Sequence, residues 1–236
     1  MEGRGDARFW WGVVTPGAIV TDIEGTTSSI AFVHEVLFPY SRARLADYVA
    51  AHEDTVVPIL DAVRAEAGDT GLSTAGCVSL LAEWHDADRK IGLLKTLQGL
   101  IWTQGYDQGA LKGHIYADAA AGLRRWHTQG IALAVYSSGS VAAQRLLFGH
   151  SDYGDLTPLF AAHFDTAVGG KQEAGSYRAI SAALALPPAE ILFLSDVEAE
   201  LVAAQEAGFA VTLLARDGQP QAGPFPVATS FDNILP

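Results

Sequence analysis

The 236-residue sequence predicts an α/β fold, a parallel sheet with helices on both faces and an inserted helical cap. Three observations predict it. Short apolar runs at 18–21, 131–136 and 191–195 lack the apolar/polar alternation of a half-solvated strand, as expected of strands buried on both faces. From residue 114 onward such runs alternate with segments of helical periodicity, which implies right-handed crossovers between parallel strands. Residues 54–107, in contrast, are helical in pattern without a convincing strand, and a long helical segment after the first strand of such a sheet is an insertion.

In chain order, residues 1–16 read as a tail that carries Trp10 and Trp11 and ends in the turn signal Thr15-Pro16-Gly17. The first strand is 18–21. Residues 30–51 carry apolar residues at helical spacing, and Pro39 marks a kink or a break between two helices. Helices are expected at 56–67, 78–85 and 93–105, with a loop at Gly68-Asp69-Thr70-Gly71, and the glycine-bearing segment 105–113 leads back to the sheet. There follow a helix at 117–129 closed by Gly130, a strand at 131–136, a helix at 141–148 and a strand at 161–167. A helix at 176–184 stops before Pro187-Pro188, a fourth strand is 191–195, a helix at 198–207 is closed by Gly208, and a fifth strand is 210–214. These elements describe a Rossmann-like core made of 17–31 and 114–236, with 32–113 as the helical cap.

Composition narrows the function. Fifteen basic against 27 acidic residues give a net charge of −12, and no basic run or basic helical face appears, which argues against nucleic acid or an anionic membrane as partner. No apolar run approaches the roughly 20 residues of a membrane-spanning helix. Met1 to Arg8 is polar and lacks the pattern of a signal peptide. Cys77 is the only cysteine, so no disulfide forms within the chain and a cytoplasmic location is expected. A phosphate site in so acidic a protein needs local rescue by a cation, a lysine and backbone donors.

Each strand end delivers polar residues. The first strand runs into Asp22-Ile23-Glu24-Gly25-Thr26-Thr27, placing two carboxyl groups where ligands bind in open α/β sheets. Two acids so close favour a metal ion between them or one remaining protonated. The second strand ends in Ser137-Ser138-Gly139-Ser140 at a helix start, suited to phosphate. The third is followed by Gly169-Gly170-Lys171, and the fourth by Ser195-Asp196 with Glu198 and Glu200 beyond, an oxygen donor suited to Mg²⁺. Taken singly, each has a plainer reading. Thr27 or Ser28, Ser138 or Ser140, and Ser195 or Asp196 can be helix N-caps, and a lone lysine can be a solvated surface residue. Together the four strand ends supply one phosphoryl-transfer site.

These residues resemble the four motifs of the haloacid dehalogenase superfamily of phosphatases, with Glu24 where the usual first motif has a second Asp. That departure is similar to one branch, the enolase-phosphatases of methionine salvage. So are Leu97-Gln98-Gly99-Leu100-Ile101-Trp102, Leu111-Lys112-Gly113-His114, Tyr136-Ser137-Ser138-Gly139-Ser140 and Lys171 through Ser176-Tyr177. The resemblance implies a Rossmann-like core with a helical cap, Mg²⁺ as cofactor, and a phosphorylated diketone as the small-molecule partner; a monomer or weak oligomer is expected. It implies enolisation of 2,3-diketo-5-methylthiopentyl-1-phosphate followed by loss of phosphate. It also implies Asp22 as nucleophile and metal ligand, Glu24 as acid/base and main-chain metal ligand, Ser137, Ser138 and Lys171 as phosphate-binding, and Asp196 as metal ligand, with Glu200 behind them. For the enolisation base, Glu24, His85, Lys112 and His114 are the candidates. A generic phosphatase of the same superfamily, or a binding protein without catalysis, are the alternatives.

Overall fold

A computed structural model describes residues 15–89, 91–216 and 223–235. Of the tail expected at 1–16, residues 1–14 with Trp10 and Trp11 lie outside the described residues. Six short strands, β1 (Ala18–Thr21), β2 (Ala132–Tyr136), β3 (Phe160–Phe164), β4 (Ile191–Ser195), β5 (Ala210–Leu214) and β6 (Val227–Ala228), form one parallel sheet in the order β3-β2-β1-β4-β5-β6. In the middle, Thr21 of β1 pairs with Val135 of β2 on one side and Leu194 of β4 on the other. The chain winds outward in one direction through β2 and β3, then returns to the other side through β4, so β1 ends at the switch point of the sheet.

Several helix ends shift by a few residues, and two strands differ from expectation. The third strand was expected at 161–167 but stops at Phe164, because the Asp165 carboxylate turns the chain, accepting from Val141 N at 3.1 Å and from Ala167 N at 2.9 Å. The sixth strand has only two residues, too few for periodicity to register, and is held by Leu213 N to Pro226 O and Ala215 N to Ala228 O, both 2.9 Å.

The described residues fall into two compact units, one up to Ile30 and from Gly113 onward, the other Ala31–Lys112. Among the described residues of the second, the regular elements are all helices. A short α1 (Ile30–Phe32) leads into a π-helical turn, Val33–Leu37, and then α2 (Phe38–Ala51). Pro39 accounts for the wide turn: it has no N–H and its ring crowds the carbonyl four residues back, so the ladder slips and Phe38 N reaches Val33 O. α3 (Glu53–Ala67) ends at Gly68 with φ 68°, α4 (Thr74–Asp86) is capped by Ser73 accepting from Gly76 N at 3.1 Å, and α5 (Gly92–Asp107) closes the unit. Leu45, Val49, Val56, Leu81, Leu97 and Ile101 form its core. Cys77 is fully buried among them, with its thiol directed at Leu60 O.

In the sheet unit, α6 (Ala117–Thr128), α7 (Val141–Gly149), α8 (Ala174–Leu184) and α9 (Glu198–Glu206) are the crossovers. Ala18, Val20, Ala134, Tyr136 and Phe193 pack with Tyr177 and Ile180 of α8 and Leu201 and Ala204 of α9 in one cluster. The intervening Ile19, Leu133, Val135, Leu192 and Leu194 are equally buried and point to the opposite face, because strand side chains alternate. Burial on both faces explains why these strands read as continuous apolar runs.

Candidate active site

The site is built on the turn that follows β1. Asp22 N still donates to Leu194 O of β4 at 2.9 Å, and the chain then folds back on itself. The carbonyl of Ile23 accepts from the amides of Thr26, Thr27 and Ser28 at 3.2, 2.9 and 2.8 Å, and Gly25 N donates to Ser28 O at 2.8 Å. Thr27 is not a helix cap: its hydroxyl donates to the carbonyls of Asp22 and Ile23 at 3.1 and 3.3 Å. Gly25 has φ 72°, and a Cβ there would fall inside the carboxyl group of Asp196. That contact brings the acid after β4 against the turn after β1. Gly25→Ala is therefore expected to destabilise the fold by about 1–3 kcal/mol and to lower turnover by about 10²-fold, checked by thermal melts and steady-state kinetics.

Lys171 reaches the same turn from the loop after β3. Its Nζ lies 2.6 Å from Asp22 Oδ1 and 2.7 Å from Glu200 Oε2, and all three side chains are buried. Ser195 does not cap α9; its Oγ donates to Glu200 Oε2 at 2.9 Å and accepts from Val197 N at 3.1 Å. The lysine loop is pinned by three hydroxyls on three consecutive carbonyls. Tyr136 Oη donates to Gly169 O at 2.9 Å, Ser176 Oγ to Gly170 O at 2.8 Å and Tyr177 Oη to Lys171 O at 2.6 Å. A flexible four-carbon chain is thus delivered to one place.

The serines divide their work. Ser140 caps α7, its Oγ accepting from Ala143 N at 3.3 Å. Ser137 is buried just beyond the end of β2, the strand beside β1, and accepts from Gly139 N at 3.1 Å, while Ser138 is exposed. The loop is fixed from behind by Gln144, whose Nε2 donates to Gly139 O at 2.9 Å and Phe164 O at 2.7 Å.

Charge is unbalanced here. Burial works against the Lys171 ammonium, but the carboxylates of Asp22 and Glu200 outweigh it and hold the group above its ordinary range. Burial pushes the Asp22 carboxyl up against the pull of Lys171. Glu24 is raised to about 6 by burial and by the neighbouring Asp22 charge. Asp196, exposed at the rim but with its carboxyl partly desolvated against the turn and facing Asp22, is raised as well, and so is Glu200. Four acids share one ammonium. Among the described residues no three His, Cys, Asp or Glu side chains form a ready cation cage. The donor set instead suits a hard cation that takes one or two carboxylates and a main-chain carbonyl, and otherwise water and substrate oxygens, as Mg²⁺ does.

Of the other candidate acid/base groups, two meet backbone groups. His85 sits in the helical unit with Nε2 3.1 Å from Phe38 O, an acceptor only, so that nitrogen carries a proton. His114 Nδ1 accepts from Ser29 N at 3.2 Å, which puts the proton of the neutral ring on Nε2. Lys112 is exposed. Glu24 alone among the four candidates lies in the acidic cluster around Lys171.

Comparison with known proteins identifies the family. A family model described as haloacid dehalogenase-like hydrolase matches residues 16–208. Enolase-phosphatase E1 of Methylococcus capsulatus is 54% identical over 221 residues, 93% of this chain and 97% of that protein. Enolase-phosphatase E1 of Parvibaculum lavamentivorans is 57% identical over 207 residues, 87% of this chain and 88% of that protein. Among solved structures, the UTR4 protein of Saccharomyces cerevisiae matches with a TM-score of 0.82 at 32% identity, covering 93% of this chain and 100% of that one. The chain belongs to the haloacid dehalogenase-like hydrolases and, within them, to the enolase-phosphatase E1 family.

Proposed function

We propose that the protein is a Mg²⁺-dependent enolase-phosphatase that converts 2,3-diketo-5-methylthiopentyl-1-phosphate to the acireductone in methionine salvage, by enolisation and then dephosphorylation. The observation that carries the phosphatase chemistry is the buried Asp22 carboxylate at the end of the central strand, 2.6 Å from the Lys171 ammonium. Family membership supports the choice of substrate. One buried cysteine and no helix among the described residues able to cross a membrane fit a cytoplasmic enzyme.

In this reading the carboxylates of Asp22 and Asp196 and the main-chain oxygen of Glu24 would hold Mg²⁺, which when bound would supply charge neutralisation and polarisation of substrate oxygens. Asp22 attacks phosphorus through a carboxylate oxygen; the ester P–O bond breaks, and the leaving oxygen takes a proton from Glu24. Water then attacks phosphorus, giving its proton to Glu24 and releasing inorganic phosphate and free Asp22. A carboxyl with a pKa of about 6 exists in both forms near neutral pH, as the two half-reactions require. Ser137, Ser138 and Lys171 hold the transferring group, Lys171 compensating the charge that gathers on its oxygens. In the preceding enolisation a proton leaves the carbon that bears the phosphate ester and the adjacent carbonyl oxygen gains one. We assign that transfer to Glu24 because it lies in the acidic cluster beside Asp22.

The purified protein with Mg²⁺ and the diketo phosphate should release phosphate together with an ultraviolet-absorbing enediol. Phosphate release without the enediol would make it a plain phosphatase of the same superfamily. No release from any phosphate ester would leave a binding protein.

A further inference from the structure

Arg216, just beyond the end of β5, grips the turn after β1 from a distance of 190 residues in sequence. Its Nε and Nη2 both donate to the carbonyl of Thr26, at 3.0 and 2.7 Å. Its Nη1 lies 2.5 Å from Asp118 Oδ2 at the start of α6, and that oxygen also accepts from Ser230 Oγ at 2.9 Å and Phe231 N at 2.7 Å. The guanidinium plane packs against the rings of Tyr116 and Phe231, at 4.4 and 5.1 Å from their centres. The next carbonyl of the turn, Thr27 O, accepts from Tyr116 N at 2.9 Å.

We propose that Arg216 is a positioning residue for the reaction, fixing the Thr26 peptide and through it the attitude of the Asp22–Thr27 turn, with Asp118 holding Arg216 in turn. The internal hydrogen bonds of the turn set its shape, but they do not tie it to the rest of the sheet unit. Arg216 and Tyr116 tie its far end, at Thr26 and Thr27, as Leu194 and Lys171 tie its near end at Asp22. The site asks for a guanidinium, because two N–H groups converge on one oxygen while a third meets a carboxylate, and the planar face fills the slot between two rings. A lysine offers one point charge and cannot make that pattern. The proposal rests on the reading of Asp22 as the phosphoryl acceptor only for its effect on rate; its structural half stands alone.

The test uses full-length Arg216→Lys and Asp118→Asn, followed by amide hydrogen exchange and by kinetics with para-nitrophenyl phosphate and Mg²⁺. Amides of 23–28 should exchange at least about tenfold faster in Arg216→Lys while those of α8 keep their wild-type rates. Per folded molecule, kcat should fall by about 10- to 100-fold in Arg216→Lys and by less in Asp118→Asn, with KM within about threefold of wild type. Unchanged exchange at 23–28 in either folded variant, or a rate loss confined to KM, would overturn the proposal. A wild-type protein inactive on every phosphate ester would defeat the phosphatase reading, and the exchange rates would still decide this one.

Discussion

Asp22→Asn is expected to lower phosphate release by at least about 10⁴-fold while leaving the melting temperature unchanged or raised. The amide keeps the shape of the carboxyl and its place at the end of β1 but cannot attack phosphorus. Stability is not expected to suffer, because the native carboxylate is buried and its pKa is pushed up, so ionisation there opposes folding at neutral pH. Lys171 retains Glu200 as its partner at 2.7 Å. Circular dichroism and a thermal melt beside the assay check both halves. Wild-type activity in this variant would remove Asp22 from the chemistry.

Lys171→Met should have the second largest effect, on rate and on stability together. The phosphoryl oxygens lose their cationic partner, which is worth about 10²–10³ in kcat. The fold loses the one ammonium between two buried carboxylates, and breaking such a pair costs about 3–5 kcal/mol. The pH dependence has a definite sign. Burial raises Asp22 and Glu200, and without Lys171 nothing in the pair opposes that rise. An acid whose folded pKa lies above its unfolded value penalises folding above the unfolded pKa and ceases to do so when protonated. The gap in melting temperature between wild type and Lys171→Met should therefore narrow as pH falls from about 8 toward about 5. A gap that widens on acidification would show that the acids are not stabilised by Lys171.

Much of this was legible in sequence because burial leaves a pattern. β1, β2, β4 and β5 lie between two layers of helices, so each is a compact, mostly apolar run, and after β1, β2 and β4 the next polar residue marks the edge of the core. Asp22 and Asp196 were visible for that reason. β3 is legible less sharply because it is only half-buried and the apolar Ala167 carries the expected strand past the Asp165 turn. Lys171 could be suspected but not placed, since a single lysine beside glycines says nothing about what it meets. Its setting depends on three hydroxyls from two elements, and its second partner, Glu200, comes from the first turn of α9. Arg216 left no local signal, because its partners Thr26, Asp118 and Tyr116 are assembled only by the fold. The partners of His85 and His114 leave no local signal either, because Phe38 O and Ser29 N meet them only in the fold.

Acid quenching of a single turnover, with mass spectrometry of the digested protein, tests the central claim most directly. A peptide containing Asp22 should carry the mass of one phosphoryl group, acquired at the catalytic rate, removed by hydroxylamine and missing from Asp22→Asn. Phosphate released by the wild type with no such adduct on that peptide, or an adduct on another residue, would contradict the account.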